Sequence, residues 1–277
     1  MSLLEPARNS YCWHIPAQYL EMFKEQLSET TPGLSTDTAE GFFAFENAVM
    51  AGAFPQAVLL KAQTEGPITL SHCLYSQGAP LAADQELFAG AVSFIARQAV
   101  WQVRRLQAAG LPVLFVFDEP ALGLSLTEAS PLDVGMIEDA IKTVVQTVRE
   151  TGALVGIHCC SALPLALFST LKLDFLSFDA YLVNEGYAWC KLVQSITENS
   201  GALAFGLIPP GKTGETSGDC DGFFRQWSKL AAASGELNSL ADRTIVTATC
   251  GLGLTTPQSA TAFFESCQAV AKRIAQL

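Results

Sequence analysis

The chain has 277 residues, of which 49% are hydrophobic and only 16% charged; this composition excludes a disordered chain and favours an α/β domain with a strand-rich interior. Its 27 acidic residues outnumber the 16 basic ones and give a net charge of −11, so we expect neither nucleic acid nor a membrane surface as a partner. Since the sequence shows no signal peptide and no apolar run long enough to span a bilayer, we expect a cytoplasmic protein whose eight cysteines stay reduced.

The first part of the chain, residues 1–55, is expected to be an irregular, mainly helical segment that packs on the remainder. Helical periodicity covers residues 16–29 and 38–52, and no strand is predicted there. We therefore predict a single domain in which this segment precedes a β/α region over residues 56–277.

From residue 56 onward, short apolar runs alternate with longer segments of helical periodicity. The predicted strands are Ala57–Gln63, Pro112–Asp118, Ala153–His158, Phe175–Asp179, Leu203–Ile208 and Thr244–Thr249. The predicted helices cover residues 84–109, 134–150, 162–171, 186–199, 221–234 and 257–275. Strands that alternate with helices at this spacing form a parallel sheet, which is either open or closed.

Polar side chains follow several of these strands. Asp118 and Glu119 end the second strand, residues 158–160 (His-Cys-Cys) end the third, Asp179 ends the fourth and Cys250 follows the last. Because the carboxyl ends of parallel strands lie at one edge of the sheet, where α/β proteins build their sites, we expect these side chains to be functional.

His158, Cys160 and Cys250 form a candidate metal site. The two-residue period of a strand places His158 and Cys160 on one face and turns Cys159 to the other. One imidazole and two thiolates suit zinc, and three protein ligands leave a fourth position for a substrate. The alternative for each cysteine is simple packing in the core, and the site requires the fold to bring Cys160 and Cys250 together.

The segments KAQTEGPITL, FVFDEPAL, GIHCCS, LSFDAY and TATCGLG resemble, in this order, the strand-end motifs of the catalytic barrel of cobalamin-independent methionine synthase. They are similar also to the wider group of corrinoid-linked thiol methyltransferases on a uroporphyrinogen-decarboxylase-like barrel. The resemblance covers roughly residues 56–275. It implies a TIM (β/α)8-type barrel, here with an incomplete or atypical first strand, since the family's Ile-Gly-Ser type motif is not found.

The resemblance also implies roles for individual residues. His158, Cys160 and Cys250 correspond to the zinc (Zn2+) ligands of the family. Asp179 stands where the family has a glutamate ligand; being one methylene shorter, it either assists the metal and the substrate or caps a turn. Asp118 would hold the amino group of homocysteine, and Glu119 would support it or contact the substrate.

The function implied is zinc-dependent transfer of a methyl group to a thiol, with homocysteine giving methionine. The sequence lacks the family's large folate-handling N-terminal domain, and its GLIPPGKT loop replaces a segment that carries a proton-shuttling histidine. We therefore expect the methyl donor to be a methylated corrinoid on a partner protein rather than methyl-tetrahydrofolate.

A nucleotide-binding protein is the main alternative, because GLIPPGKT at residues 206–213 matches the phosphate-loop pattern G-x-x-x-x-G-K-T. The loop is not followed by the helical pattern that a phosphate site needs, and Pro209 and Pro210 lack backbone donors. Two further alternatives are a degenerate, non-catalytic barrel and a uroporphyrinogen-decarboxylase-like protein. The decarboxylase is disfavoured because it would need basic residues for its polycarboxylate substrate.

Overall fold

The computed structural model describes residues 4–6, 12–29, 32–127, 130–210, 219–253 and 255–277. The strands are β1 (Glu5–Pro6), β2 (Trp13–Ile15), β3 (Leu60–Glu65), β4 (Leu74–Ser76), β5 (Ala79–Pro80), β6 (Val113–Asp118), β7 (Leu154–Cys159), β8 (Phe175–Asp179), β9 (Ala202–Ile208) and β10 (Thr244–Ala248). The helices are α1 (Leu20–Leu27), α2 (Glu40–Met50), α3 (Pro67–Cys73), α4 (Gln85–Gln107), α5 (Leu122–Ser125), α6 (Val134–Arg149), α7 (Leu165–Phe168), α8 (Tyr187–Glu198), α9 (Cys220–Ser234), α10 (Leu237–Ala241) and α11 (Pro257–Ile274).

The larger sheet has six strands in the order β3, β6, β7, β8, β9 and β10. Strands β3 and β6 pair in parallel from Leu60 opposite Val113 to Glu65 opposite Asp118, and β8, β9 and β10 also pair in parallel. The predicted α/β class with a parallel sheet is thus confirmed. The strands follow one another in chain order, as in a TIM barrel, whereas a doubly wound sheet reverses its order at a switch point.

The chain divides into two compact units, Met1–Gly156 and Ile157–Leu277. The first contains a small sheet of β1, β2, β4 and β5, the helices α1 to α6, and the parallel pair β3 and β6. The second contains β8, β9, β10 and the helices α7 to α11. The predicted single domain with a division after residue 55 stays a prediction.

The prediction that the first 55 residues contain no strand was wrong, because β1 and β2 lie there. Strands of two and three residues are too short to show a two-residue period, and β2 is held by its pairing with β4, about 60 residues later. The predicted helices of this segment are confirmed in shorter form: α2, and α1 preceded by a 3-10 turn over Ala17–Tyr19.

Further elements differ from the sequence-based expectation, among them the short β4, β5, α5 and α10, which were not predicted. The first long strand begins at Leu60 rather than Ala57, because the apolar Val58 and Leu59 lie on the surface, 82% and 37% exposed. Helix α3 was not predicted, since seven residues after Pro67 give too few turns for a periodic pattern. The predicted helix over residues 162–171 is only the single turn α7.

Side-chain caps begin the longer helices. Asp84 accepts hydrogen bonds from the amides of Glu86 and Leu87 at the start of α4. Asp133, Asp219 and Thr256 cap α6, α9 and α11 in the same way. Such caps satisfy amides that lack a partner within the helix. None of the helices in the described part of the chain is long and apolar enough to cross a membrane.

The core of the second unit is built on aromatic side chains. Trp189 of α8 packs on Phe178 of β8 and Phe205 of β9, with ring centroids 5.7 and 6.2 Å away. Its Nε1 donates to the Leu230 carbonyl at 2.8 Å. Gly206 lies so close to its neighbours that a Cβ there would stand 2.6 Å from the Phe178 carbonyl oxygen. This packing fixes the strands whose ends carry the polar side chains.

Candidate functional site

The thiols of Cys160 and Cys250 lie beside each other at the carboxyl ends of β7 and β10. Cys160 follows the last residue of β7 and is half-buried, while Cys250, two residues beyond β10, is exposed. Burial first, and then the neighbouring Cys250, raise the pKa of the Cys160 thiol to about 11. The structure therefore brings together two predicted metal ligands that are 90 residues apart in the sequence.

The orientations predicted from the strand period are confirmed at the end of β7. Cys159 is fully buried, whereas His158 and Cys160 on either side of it are partly exposed. Nδ1 of His158 lies 2.9 Å from Oγ of Ser177 on β8. A metal-binding histidine is commonly oriented by such a hydrogen bond to its other ring nitrogen.

Asp179 ends β8 and shapes the turn that follows. Its Oδ1 accepts a hydrogen bond from the Tyr181 amide at 2.8 Å. Burial raises the pKa of Asp179, and this hydrogen bond opposes the shift. The hydroxyl of Tyr181 donates to the Leu207 carbonyl at 2.9 Å, which holds the same turn against β9. Of the two roles expected for Asp179, the structure shows the cap.

The zinc site is only partly assembled. In the residues that the structure describes, no group of three or more His, Cys, Asp and Glu side chains is placed to hold a metal ion. Two sulfur donors are together, and the imidazole of His158 lies at the end of the same strand as Cys160. The donor types fit zinc, but a three-ligand site would need His158 to approach the thiol pair. The zinc ligation stays a prediction.

In the first unit, Asp118 lies at the end of β6 in a polar group with Lys61 and Gln63 of β3. Gln63 Nε2 donates to Asp118 Oδ2 at 2.7 Å, and its side-chain oxygen accepts from Lys61 Nζ. Burial raises the pKa of Asp118 to about 6, although Lys61 and the Gln63 hydrogen bond both lower it. Asp118 is thus ionised at neutral pH, and its expected contact with the substrate amino group stays a prediction.

Glu65 belongs to the polar group of Asp118, Lys61 and Gln63, and it was not predicted as a site residue from the sequence. It lies opposite Asp118 in the register of β3 and β6. Burial first, and then the Asp118 charge, raise the pKa of Glu65 to about 7. A carboxyl with this pKa gives and takes a proton at neutral pH. The signal was the alternation Lys61, Gln63, Glu65, which places three polar side chains on one face of a strand.

Glu119 lies next to Asp118 in sequence but faces the interior. It is 1% exposed, and its carboxylate oxygens accept from the amides of Ile68 and Thr69 at 3.0 and 2.7 Å and from the Thr69 hydroxyl at 2.7 Å. These contacts join the end of β6 to the first turn of α3. Burial raises the pKa of Glu119 to about 7 against the effect of these hydrogen bonds. The geometry favours a positioning role over contact with a substrate.

Replacing Gly66 with alanine is expected to lower the free energy of unfolding by about 1–3 kcal/mol, the usual range for overpacking a buried position. A Cβ at this position would stand 2.2 Å from Glu119 Oε1 and 2.3 Å from its Cδ, so the carboxylate would have to leave the α3 amides. Chemical denaturation followed by circular dichroism measures the change.

The control for Gly66→Ala is Gly41→Ala. Gly41 lies in α2, and a Cβ there meets nothing within 4 Å. The alanine is expected to stabilise the helix by about 0.5–1 kcal/mol. Equal stability of Gly66→Ala and the original chain would contradict the close packing of Gly66 on Glu119.

The phosphate-loop alternative falls largely outside the described residues, since Gly211, Lys212 and Thr213 are not among them. The next described helix, α9, begins at Cys220, with the side chain of Asp219 on the Gly222 amide at 2.8 Å. A carboxylate at this helix start occupies the place where a phosphate would be bound.

Comparison with known proteins gives only distant structural likenesses. No family model and no curated protein matches the sequence. D-psicose 3-epimerase from Clostridium cellulolyticum H10, in crystal structures with D-tagatose, is 12% identical with a TM-score of 0.45, over 95% of this chain and 93% of that chain. An amidohydrolase is 15% identical with a TM-score of 0.35, over 84% of this chain and 61% of that chain.

Proposed function

We propose that this protein is a zinc-dependent methyltransferase that methylates a small thiol, with homocysteine as the acceptor and methionine as the product. The main support is the contact between Cys160 and Cys250. A pair of thiols from two distant strand ends is what the sequence resemblance requires, and packing alone gives no reason for an exposed cysteine at position 250.

In this proposal His158, Cys160 and Cys250 hold the metal, with Asp179 beside them. Bound zinc would supply the Lewis acidity that keeps a substrate sulfur as a thiolate at neutral pH. The raised pKa of Cys160 means that metal binding must release the proton of this thiol, so zinc affinity rises with pH. Ser177 fixes the ring of His158 through Nδ1.

The carboxylates of the first unit have separate roles in the proposal. Asp118, ionised above about pH 6, holds the amino group of the amino-acid substrate, and Gln63 fixes its orientation. Glu65 takes up a proton at neutral pH. Glu119 positions Asp118 indirectly, since it joins the end of β6 to α3.

The methyl donor in the proposal is a methylated corrinoid carried by a partner protein. The experiment is an assay of methionine formation from homocysteine, with either methylcobalamin or methyl-tetrahydrofolate. We expect zinc-dependent product with methylcobalamin, well above a protein-free control. Zinc-loaded protein that gives no methylated thiol with either donor would favour the degenerate barrel, and tight ATP binding by zinc-free protein would favour the nucleotide-binding alternative.

A further inference from the structure

A second pair of cysteines lies in the first unit. Trp13 of β2 is opposite Leu74 of β4 in a parallel pair, and Cys12 and Cys73 are the residues immediately before them. Their side chains are in contact, with the Cys12 thiol within hydrogen-bonding reach of Cys73. Cys12 precedes β2 and Cys73 ends α3, so each is one residue from the paired Trp13 and Leu74, and neighbouring strands are about 4.8 Å apart. This spacing and the contact of the two thiols suit a disulfide, whose Cα separation is about 4.4–6.8 Å.

Each of the two cysteines adjoins an ordered element, since Cys12 precedes β2 and Cys73 joins α3 to β4. β4 is paired with β2 on one edge and with β5 on the other. Ile15 at the end of β2 and Leu74 at the start of β4 are buried in one apolar cluster with α1 and α4. Both cysteines are half-buried thiols, reached from solvent without opening the core. A bond between them therefore needs little movement of the backbone.

We propose that Cys12 and Cys73 form a reversible disulfide, with a low-molecular-weight disulfide of the oxidised glutathione type as the oxidant. The thiolate of Cys12 attacks one sulfur of the oxidant, whose S–S bond breaks and releases one thiol. Cys73 then loses its proton to water and attacks the Cys12 sulfur of the mixed disulfide, releasing the second thiol. The two cysteines lose two electrons and two protons, and the oxidant gains them.

The order of attack follows from the surroundings of Cys73. Burial first, then the Cys12 and Glu65 charges, raise its pKa to about 11. A thiol that stays protonated is a poor attacking group in exchange with an external disulfide. Once Cys12 carries the mixed disulfide, however, the reaction of Cys73 is intramolecular and is helped by proximity.

The bond would restrain helix α3 at both ends. The first turn of α3 holds Glu119 through the Ile68 and Thr69 amides, and its last residue is Cys73. A bridge from Cys12 closes a loop that contains α1, α2 and β3. Because closing a long loop restricts the unfolded chain, oxidation is expected to raise the melting temperature by about 5–10 °C.

The test treats the native full-length protein with oxidised glutathione, blocks remaining thiols, and analyses a tryptic digest without reduction. Cleavage after Lys and Arg places Cys12 alone in the peptide of residues 9–24 and Cys73 alone in that of residues 62–97. We expect most molecules to yield these two peptides as one disulfide-linked species that separates on reduction, together with the higher melting temperature.

The variants Cys12→Ser and Cys73→Ser are expected to lose both the linked species and the temperature shift, whereas Cys267→Ser, which changes a half-buried cysteine of α11, keeps both. Native protein that yields the two peptides separately, each with a blocked or singly modified cysteine, would overturn the proposal. So would a temperature shift that persists in Cys12→Ser.

Discussion

Replacing Cys160 or Cys250 with serine is expected to lower the zinc affinity of the protein by about 100-fold or more. Losing a group that merely orients a metal ligand already lowers affinity about 10- to 100-fold, and a serine hydroxyl does not replace a thiolate as a zinc donor. Each variant leaves a single thiol of the pair that the structure brings together. Metal analysis of the purified variants is compared with the unsubstituted protein, which is expected to hold about one zinc per chain. Titration against a zinc-binding dye measures the loss of affinity.

The matched control for these variants is Cys267→Ser, which changes a half-buried cysteine on α11 by the same single atom. It is expected to keep its zinc. His158→Gln is expected to behave as the cysteine variants do, because His158 is the third proposed ligand. Original protein that binds no zinc, or a Cys160→Ser variant that binds it undiminished, would contradict the proposed metal site.

The orientation of Cys160 and its approach to Cys250 were predicted from different kinds of information. The two-residue period of a strand predicts that His158 and Cys160 lie on the same face of β7, and the burial of Cys159 between them confirms it. The approach of Cys250 to Cys160 depends on the sheet, since only parallel strands with their carboxyl ends at one edge place the two together. The β-α alternation was sufficient to predict that edge.

The same strand period explains what was missed among the carboxylates. Asp118 and Glu119 are adjacent, so they point to opposite sides, and only Asp118 is accessible. The buried role of Glu119 could not be predicted, because its partners lie in α3, a helix too short to give a sequence pattern. Glu65 was detectable from its alternation with Lys61 and Gln63, but its raised pKa depends on its pairing with Asp118.

The small sheet of the first unit could not be predicted from the sequence for another reason. β1 has two residues and pairs with the nearby β2. β2 has three residues and pairs also with β4, about 60 residues later in the sequence. Short strands have no measurable period, and pairing between distant segments leaves no local trace. The contact of Cys12 with Cys73 depends on this pairing, so the contact could not be predicted from the sequence either.

Replacing Trp189 with alanine is expected to lower the free energy of unfolding of the second unit by about 3–5 kcal/mol, the usual range for removing a large buried aromatic side chain. The ring is fully buried against Phe178 and Phe205, and its Nε1 is the donor to the Leu230 carbonyl. The loss of this hydrogen bond accounts for about 1 kcal/mol of the total. Denaturation followed by far-ultraviolet circular dichroism measures the change.

Tyr187→Ala is the control for Trp189→Ala, because Tyr187 lies two residues earlier on the same helix but is 78% exposed. Its loss is expected to change the stability by less than about 1 kcal/mol, since it removes only a surface contact with Lys191.

Phe178 precedes Asp179 on β8, so the cavity left by Trp189 also loosens the strand end beside the proposed metal ligands. Trp189→Ala should therefore weaken zinc binding as well, which Tyr187→Ala should not. Equal stability of the two variants would show that the aromatic cluster does not hold this edge of the sheet.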